Sequence, residues 1–280
     1  MTTAKPANAV VDLADFVATI PDGASIALAP DYSGCAMAAV AALVRLGRRD
    51  LHLVGVPSLG LQADWLIGAG AVRSIETAAL TLGEAGMPPR AVAAIKAGTL
   101  AIKDATCPAL HAGLQAAEKG IPFMPLRGIL GSDLLAYRDD WKVIDNPFKA
   151  GEDADPIVLV PAIRPDFALF HAAVADSEGN VFIGVRRELM LMAHAARRTL
   201  VTVEHIEDRD LLRDDATAAG TIPALYVSAI AEAPRGADPV GLAGSYPADA
   251  MAVAEYVAAA KADEGFQSWC ERHIHARETA

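Results

Sequence analysis

The sequence predicts an α/β fold: an open, mainly parallel sheet flanked by helices. Three observations carry that expectation. Short runs of Val, Ile, Leu and Ala alternate with longer stretches of helical periodicity, the rhythm of strands joined by crossover helices. The chain is 53% hydrophobic but only 5% aromatic, a balance that suits alanine-faced helices packed closely on a buried sheet. Its 280 residues can bury a sizeable core. We read 1–280 as a single domain with a subdomain joint near 145–156.

The elements follow in order. "SIALA" from Ser25 reads as the first strand, and the helix after it starts near Gly34. "LHLVGV" (Leu51 to Val56) is the second strand, followed by the apolar helix "LQADWLIGAG". "PPRAVAAIKAG" is helical, opened by Pro88 and Pro89 and stopped by Gly98. "TLAIKD" is a short strand. "PALHAGLQAAEKG" is a helix with Pro108 near its first position and Gly120 just past its end. The turn formers and acids of "DNPFKAGEDADP" (Asp145 to Pro156) mark an exposed loop. "IVLVPAI" and "FALFHAAVAD" read as buried strands, and "SEGN" as a turn with Gly179 and Asn180 at positive φ. "ELMLMAHAARR" is helical, while "TLVTVEHI" and "IPALYVSAIAEAP" are strands. Two helical segments, "DAMAVAEYVAAAKA" and "EGFQSWCERHIHA", end the chain.

Charge and cysteine usage narrow the function classes. A net charge of −11 repels nucleic acid and anionic membranes, so neither is an expected partner. Cys35, Cys107 and Cys270 are odd in number and widely spaced, which argues against a disulfide framework and for a reducing cytoplasm. "MTTAKPANAV" lacks the apolar core of a signal peptide, and no apolar run reaches the roughly 18 residues of a membrane span. Gly68-Ala69-Gly70 fails as a dinucleotide fingerprint, because Arg73 stands at the third glycine position. There is no phosphate-loop motif and no G-x-S-x-G elbow.

The remaining candidates each have a plainer reading. Cys270, His273 and His275 fit a polar helix end better than a metal site. His171 suits a hydrogen-bonded core position, and His111 and His194 carry no partner signal. Glu178 belongs to a solvated turn. Cys107 follows a strand and opens a helix, where thiols ionise more readily; a small core residue is the plainer reading. The loop Pro30-Asp31-Tyr32-Ser33 sits where an open parallel sheet holds its ligand. In "PFMPLRGILGSDL", Arg127 could pair with a substrate carboxylate or be tied to a surface acid, beside Gly128, Gly131 and Ser132.

Taken together, "DGASIALAPDYSGCAMAAVAALVRLGRRDLHLVG", "ADWLIGAGAVRSIETA", "GIPFMPLRGILGSDLL", "VPAIRPDFALFHAAVADSEGNV" and "APRGADPVGLAGSYPADA" resemble the α (A) subunit of a family I CoA-transferase, of the glutaconate CoA-transferase-like subfamily. The resemblance runs nearly end to end. It implies an open α/β fold paired with a β-type subunit in an α2β2 hetero-oligomer, an acyl-CoA thioester as substrate and no bound cofactor. In that family a glutamate carried by the β subunit makes the attack on the thioester, forming a mixed anhydride and then a glutamyl-CoA thioester. The α subunit would then shape the acyl pocket and the oxyanion environment.

Two departures stand out. Ala29-Pro30-Asp31-Tyr32 replaces a glycine-rich loop of related chains, and Cys107-Pro108 replaces an acidic pair. Some relatives hydrolyse carbon–carbon bonds in cyclic acyl-CoA thioesters, so a ring-cleaving hydrolase or lyase is the alternative, and a catalytically silent partner subunit is a third reading. The acid that such ring-cleaving chemistry would use is missing here, and by position alone Asp31 or Glu84 is the candidate base in its place. Pro30, Tyr32, Ser33, Ser58, Gly83, Arg127, Gly128, Gly131 and Ser132 are the expected substrate-binding residues.

Overall fold

The computed structural model describes residues 9–276; most of the segment "MTTAKPANAV", expected not to be a signal peptide, lies outside them. The core is a ten-stranded sheet. Along its main path the order is Ala9–Val10, Ala229–Glu232, Arg198–Glu207, Phe167–Asp176, Ser25–Leu28, Leu51–Gly55, Val72–Thr77 and Ala101–Asp104. Every neighbouring pair on this path is parallel. Two short strands, Val181–Phe182 and Thr221–Ile222, extend it antiparallel beside the end of Phe167–Asp176.

The chain builds outward from Ser25–Leu28 to Ala101–Asp104, then returns to the other side of Ser25–Leu28 and builds the opposite way. The reversal lies between Ser25–Leu28 and Phe167–Asp176. Only Phe167–Leu169 pair with Ile26–Leu28, so the rest of the longer strand overhangs its neighbour. Such a switch point opens a crevice at the carboxyl ends of the strands. At the opposite ends, Ser25 N and Oγ donate to Asp166 Oδ2 at 2.9 and 2.7 Å and fix the register.

Helices cover both faces, as near-continuous apolar strands require. One face carries Leu13–Ala18, Met37–Leu46 and Leu61–Gly68, joined by Tyr256, Phe266 and Trp269 from the C-terminal helices Ala250–Ala259 and Asp263–Cys270. The other carries Cys107–Glu118 and Arg187–Ala195. Thr106 caps Cys107–Glu118 by accepting from Ala109 N, and Gly120 at φ 68° follows its end. Buried Asp64 accepts from Tyr256 Oη at 2.7 Å and from Ala91 N at 2.7 Å, tying the C-terminal layer to the helix Pro89–Lys96. No helix among the described residues is long and apolar enough to cross a membrane.

Three sequence expectations need correction. The helix after the first strand begins at Met37, because Gly34 takes φ 70° and the turn runs through Cys35 and Ala36. "IPALYVSAIAEAP" is not one strand: Pro223 ends Thr221–Ile222, a single turn follows at Ala224–Tyr226, and a strand resumes at Ala229–Glu232. In the 177–180 turn only Gly179 has positive φ, at 86°. Asn180 instead donates its side chain to Asp176, whose carboxylate organises the turn and accepts from Leu211 N.

A three-stranded antiparallel sheet, Phe123–Leu126, Pro156–Pro161 and Lys142–Asp145, packs beside the edge of the main sheet. The acidic stretch 145–156 joins two of its strands, with Asp145 paired to Pro156. Arg138 clamps this unit to the main sheet. Its guanidinium donates to Glu76 at 2.7 Å, to Asp140 at 2.9 and 3.0 Å and to the Asp104 carbonyl at 3.0 Å, and stacks on Trp141. Burial pushes the Glu76 carboxyl up, but His52, Arg138 and Lys103 together hold it below its ordinary value.

Both Arg138 and Glu76 are buried, so removing Arg138 strips Glu76 of its guanidinium partner and leaves His52, at 3.7 Å, as its remaining ion-pair partner. Arg138→Ala should destabilise the fold by about 3–5 kcal/mol, read as a lower denaturant midpoint. The depressed Glu76 carboxyl adds stability that is complete above the ordinary carboxylate range and lost as pH falls through its folded value. The gap between wild type and Glu76→Gln should therefore narrow in acid.

Candidate active site

The switch-point crevice is held open by backbone geometry. After Ser25–Leu28 the chain turns through Ala29–Ala36, with Ser33 N donating to Pro30 O at 2.8 Å. Buried Gln62 grips the turn from inside: Nε2 donates to Ala29 O at 2.9 Å and Oε1 accepts from Ala36 N at 3.1 Å. Gly34 presses on the overhanging strand, its carbonyl accepting from His171 N at 2.7 Å. A Cβ at Gly34 would lie 2.2 Å from the His171 carbonyl oxygen, so only glycine fits.

A cavity of about 350 Å3 lies beneath this turn. Gly34, His171, Phe182, Val185, Leu189 and Leu242 are among its walls, and Arg186 is the single arginine or lysine among the described residues that line it. His171 forms part of the wall with both ring nitrogens engaged, one 2.9 Å from Thr202 Oγ1 and the other 2.7 Å from Glu204 Oε1. Glu204 also accepts from Tyr246 Oη at 2.7 Å and from Arg235 N at 2.7 Å. This chain of bonds fixes the 235–246 loop, which supplies the far wall. Burial lowers the His171 pKa, against the pull of Glu204, so the ring is held as a neutral hydrogen-bonded core residue.

Six chemistry-bearing side chains gather around the mouth. Ser33 Oγ donates to Glu188 Oε1. Tyr32 is exposed and lies under the Arg186 guanidinium, 5.7 Å from ring centroid to Cζ. Partial burial raises the Tyr32 pKa; Glu188 and Cys107 push the same way and Arg186 opposes them. His111, one turn along from Cys107 on its helix, is pushed down by burial and up by Glu188. Its Nε2 is buried without a hydrogen-bond partner. Cys107 is exposed rather than packed in the core, because the helix that it opens starts at the sheet edge.

The structure therefore brings Tyr32 and Ser33 to the crevice, with buried Pro30 forming the turn beneath them. Asp31 points elsewhere: its carboxylate accepts from Leu61 N at 3.0 and 3.1 Å, at the start of Leu61–Gly68. It fills the space beside Gly60, where a Cβ would collide with it at 2.2 Å. Ser58 starts a two-residue strand paired with Ala79–Leu80, on the loop after the second strand. Gly83 and Glu84 lie exposed in a single helical turn that meets Ala250–Ala259. Arg127 is on the small sheet, its fork engaged bidentately by Asp155. Gly128 and Gly131 are exposed beside it, and Ser132 Oγ donates to Ile129 O at 2.9 Å.

Glu188, Arg186, His111 and Gln62 were not legible as site residues. "VRRELML" looks like an ordinary charged helix start, and only the crossover to Phe167–Asp176 carries it to the first loop. At the C-terminus, His273 stacks on Trp269 at 4.9 Å and sits 3.4 Å from Glu255. Among the described residues no group of three ligating side chains could hold a metal ion.

Two measurements check this geometry. Burial raises the Asp31 pKa from 3.8 to about 6, against the Leu61 N–H and Cys35. A raised carboxyl favours the folded state when protonated, so that benefit fades as pH climbs from about 4 through 6. The stability of Asp31→Asn relative to wild type should rise over that interval and level off above it. Alkylation of the native chain by iodoacetamide should label Cys107 and spare Cys35 and Cys270, as mapped by peptide mass.

Comparison with known proteins gives concordant findings. The family model for coenzyme A transferase matches residues 10–233. The chain is 33% identical over 267 residues to the A-type subunit of 3-oxoadipate CoA-transferase from Pseudomonas knackmussii, covering 91% of this chain and 89% of that one. It is 30% identical over 276 residues to the cholesterol ring-cleaving hydrolase IpdA subunit of Mycobacterium tuberculosis, covering 95% and 93%. An uncharacterized protein of Archaeoglobus fulgidus is 31% identical over 237 residues; the chain spans about half of its length, 51%. Among solved structures, glutaconate coenzyme A-transferase from Acidaminococcus fermentans superposes with TM-score 0.86 at 30% identity, covering 95% and 89%. A variant of the decarboxylase AibA/AibB superposes with TM-score 0.83 at 32% identity, covering 98% and 99%.

Proposed function

The chain belongs to the coenzyme A transferase family, and from that premise we propose that it is the α (A) subunit of a heteromeric CoA-transferase-like enzyme acting on acyl-CoA thioesters of small or cyclic carboxylic acids. The observation that carries this reading is the composition of the crevice. Among the described residues no carboxylate lines the cavity. The nearby Glu188 is bonded to Ser33, and Glu204 to His171 and Tyr246. The walls suit an acyl group, and the attacking carboxylate comes from a β-type partner seated over the mouth.

In this reading the acyl body enters the 350 Å3 cavity and its thioester lies at the mouth. The partner's carboxylate attacks the thioester carbonyl, CoA leaves as thiolate, and a mixed anhydride forms. Returning CoA attacks the anhydride at the glutamyl carbonyl, releasing the first acid and leaving a glutamyl-CoA thioester for the acceptor acid. This chain binds and orients the acyl group and excludes water. The Ser33 hydroxyl hydrogen is committed to Glu188, so among the side chains at the mouth the Tyr32 hydroxyl is the one this chain offers to charge developing on the thioester oxygen, which is stabilised best by dipoles fixed in advance. The complex is α2β2 and cytoplasmic, with CoA as substrate rather than resident cofactor.

A second reading has its own support. The 30% identity over 276 residues to a ring-cleaving hydrolase subunit favours hydrolysis on the same scaffold. Oxygen-18 water separates the two: a hydrolase puts the label into a product carboxylate, whereas a transferase moves CoA to an acceptor acid. The primary test compares the purified chain with the same chain co-expressed with its β-type partner. Turnover of an acyl-CoA and acceptor pair should require both, and full-rate turnover by the single chain would sink the proposal.

A further inference from the structure

A second cavity, of about 130 Å3, lies between Leu61–Gly68 and the C-terminal helices. Arg235 and Asp238, from the loop that supplies the far wall of the crevice, also line it. Trp65 forms one wall and is 6% exposed. Among the described residues its indole N–H is buried with no hydrogen-bond partner, whereas a buried indole N–H ordinarily finds one, and leaving it unpaired is costly. Trp269 is the second indole wall, with His273 stacked on it at 4.9 Å. Three acids line the same space. Asp238 is held bidentately by Arg235, whose guanidinium also stacks on Tyr246. Asp249 uses Oδ1 alone to cap Ala250–Ala259, accepting from Met251 N and Ala252 N at 3.1 and 3.0 Å. Glu255 meets His273 at 3.4 Å and Arg272 at 3.9 Å, both on Oε1. Among the described residues, Asp249 Oδ2 and Glu255 Oε2 therefore have no partner.

Two open carboxylate oxygens suit a primary ammonium, which brings a positive charge and three donors. The indole N–H suits an oxygen acceptor. The indole rings suit a short apolar body, and a cation beside them gains from their faces. About four water-sized groups fill the space, at about 30 Å3 each, so the ligand is small. We propose that this cavity is a binding site for a small amino alcohol, a primary ammonium joined by a short carbon chain to a hydroxyl. The ammonium meets Asp249 and Glu255, and the hydroxyl oxygen accepts from Trp65. The site stands apart from the crevice and from the transferase reading.

Ethanolamine is the probe. Two controls of equal size, 1-propanol and propylamine, replace its ammonium and its hydroxyl by methyl. In the nitrogen-15-labelled full chain, the Trp65 indole N–H resonance is assigned with Trp65→Phe, or by elimination with Trp141→Phe and Trp269→Phe should that variant fail to fold. At neutral pH ethanolamine should shift this resonance saturably, in the millimolar range open to so small a ligand. Uncharged 1-propanol should bind at least about tenfold more weakly. Propylamine lacks the acceptor and should leave the resonance near its free position. Asp249→Asn, which keeps the helix cap, and Glu255→Gln, at an exposed position, should each weaken ethanolamine by about 3–10-fold. No shift with ethanolamine would overturn the proposal, since water alone then fills the cavity. A shift of equal size with either control, or undiminished ethanolamine binding in both carboxylate variants, would overturn it as well.

Discussion

The contact between Gly34 and His171 is the constraint on which the crevice depends. At this point the two halves of the sheet, built in opposite directions from the first strand, meet backbone to backbone. The Gly34 carbonyl takes the His171 N–H at 2.7 Å, and no side chain fits between them. That approach leaves His171 as cavity wall, turns Ser33 toward Glu188 and lifts Tyr32 to the rim. Hydrogen bonds from Gln62 hold the turn from behind, and the Glu204 network holds the opposite wall. The mouth is therefore stiff by construction, as a site must be if its dipoles are to be set before the substrate arrives.

Much of the architecture was legible because local rules decide it. Apolar runs bounded by turn residues became parallel strands, and Pro89, Pro108, Gly98 and Gly120 marked helix ends where capping chemistry requires them. The first loop was legible as a border of the crevice because the carboxyl end of a first strand is where this topology opens. What escaped notice depended on contacts between distant segments. Arg186 and Glu188 gain meaning only when the overhang of Phe167–Asp176 and the turn after it carry them across to residues 32 and 33. Cys107 reads as a core residue from its apolar neighbours, yet its place at the sheet edge leaves it exposed. The small antiparallel sheet was hidden because its strands resemble those of the main sheet in composition; only Arg138, bridging Glu76 and Asp140, reveals that they form a clamped side unit.

The loop Pro122–Leu134 teaches a related lesson. Its arginine and glycines have the composition of a ligand-binding loop, but Arg127 already has a carboxylate, Asp155, on its own side unit. Arg186 has no obvious motif around it and, among the described residues, no acid bound to it. Availability of a charge, rather than its appearance in a motif, separates the two, and only a folded chain displays availability.

The orientation of Asp31 decides what charge the first loop shows to the crevice. Its carboxylate sits on the first amide of the next helix, not over the substrate. The loop thus carries an acid whose carboxylate is turned away from its entrance. Read as letters, the loop would set a negative charge over the crevice; in the folded chain that charge is spent on a helix start, so the sign of the entrance is decided by where a carboxylate points and not by its presence.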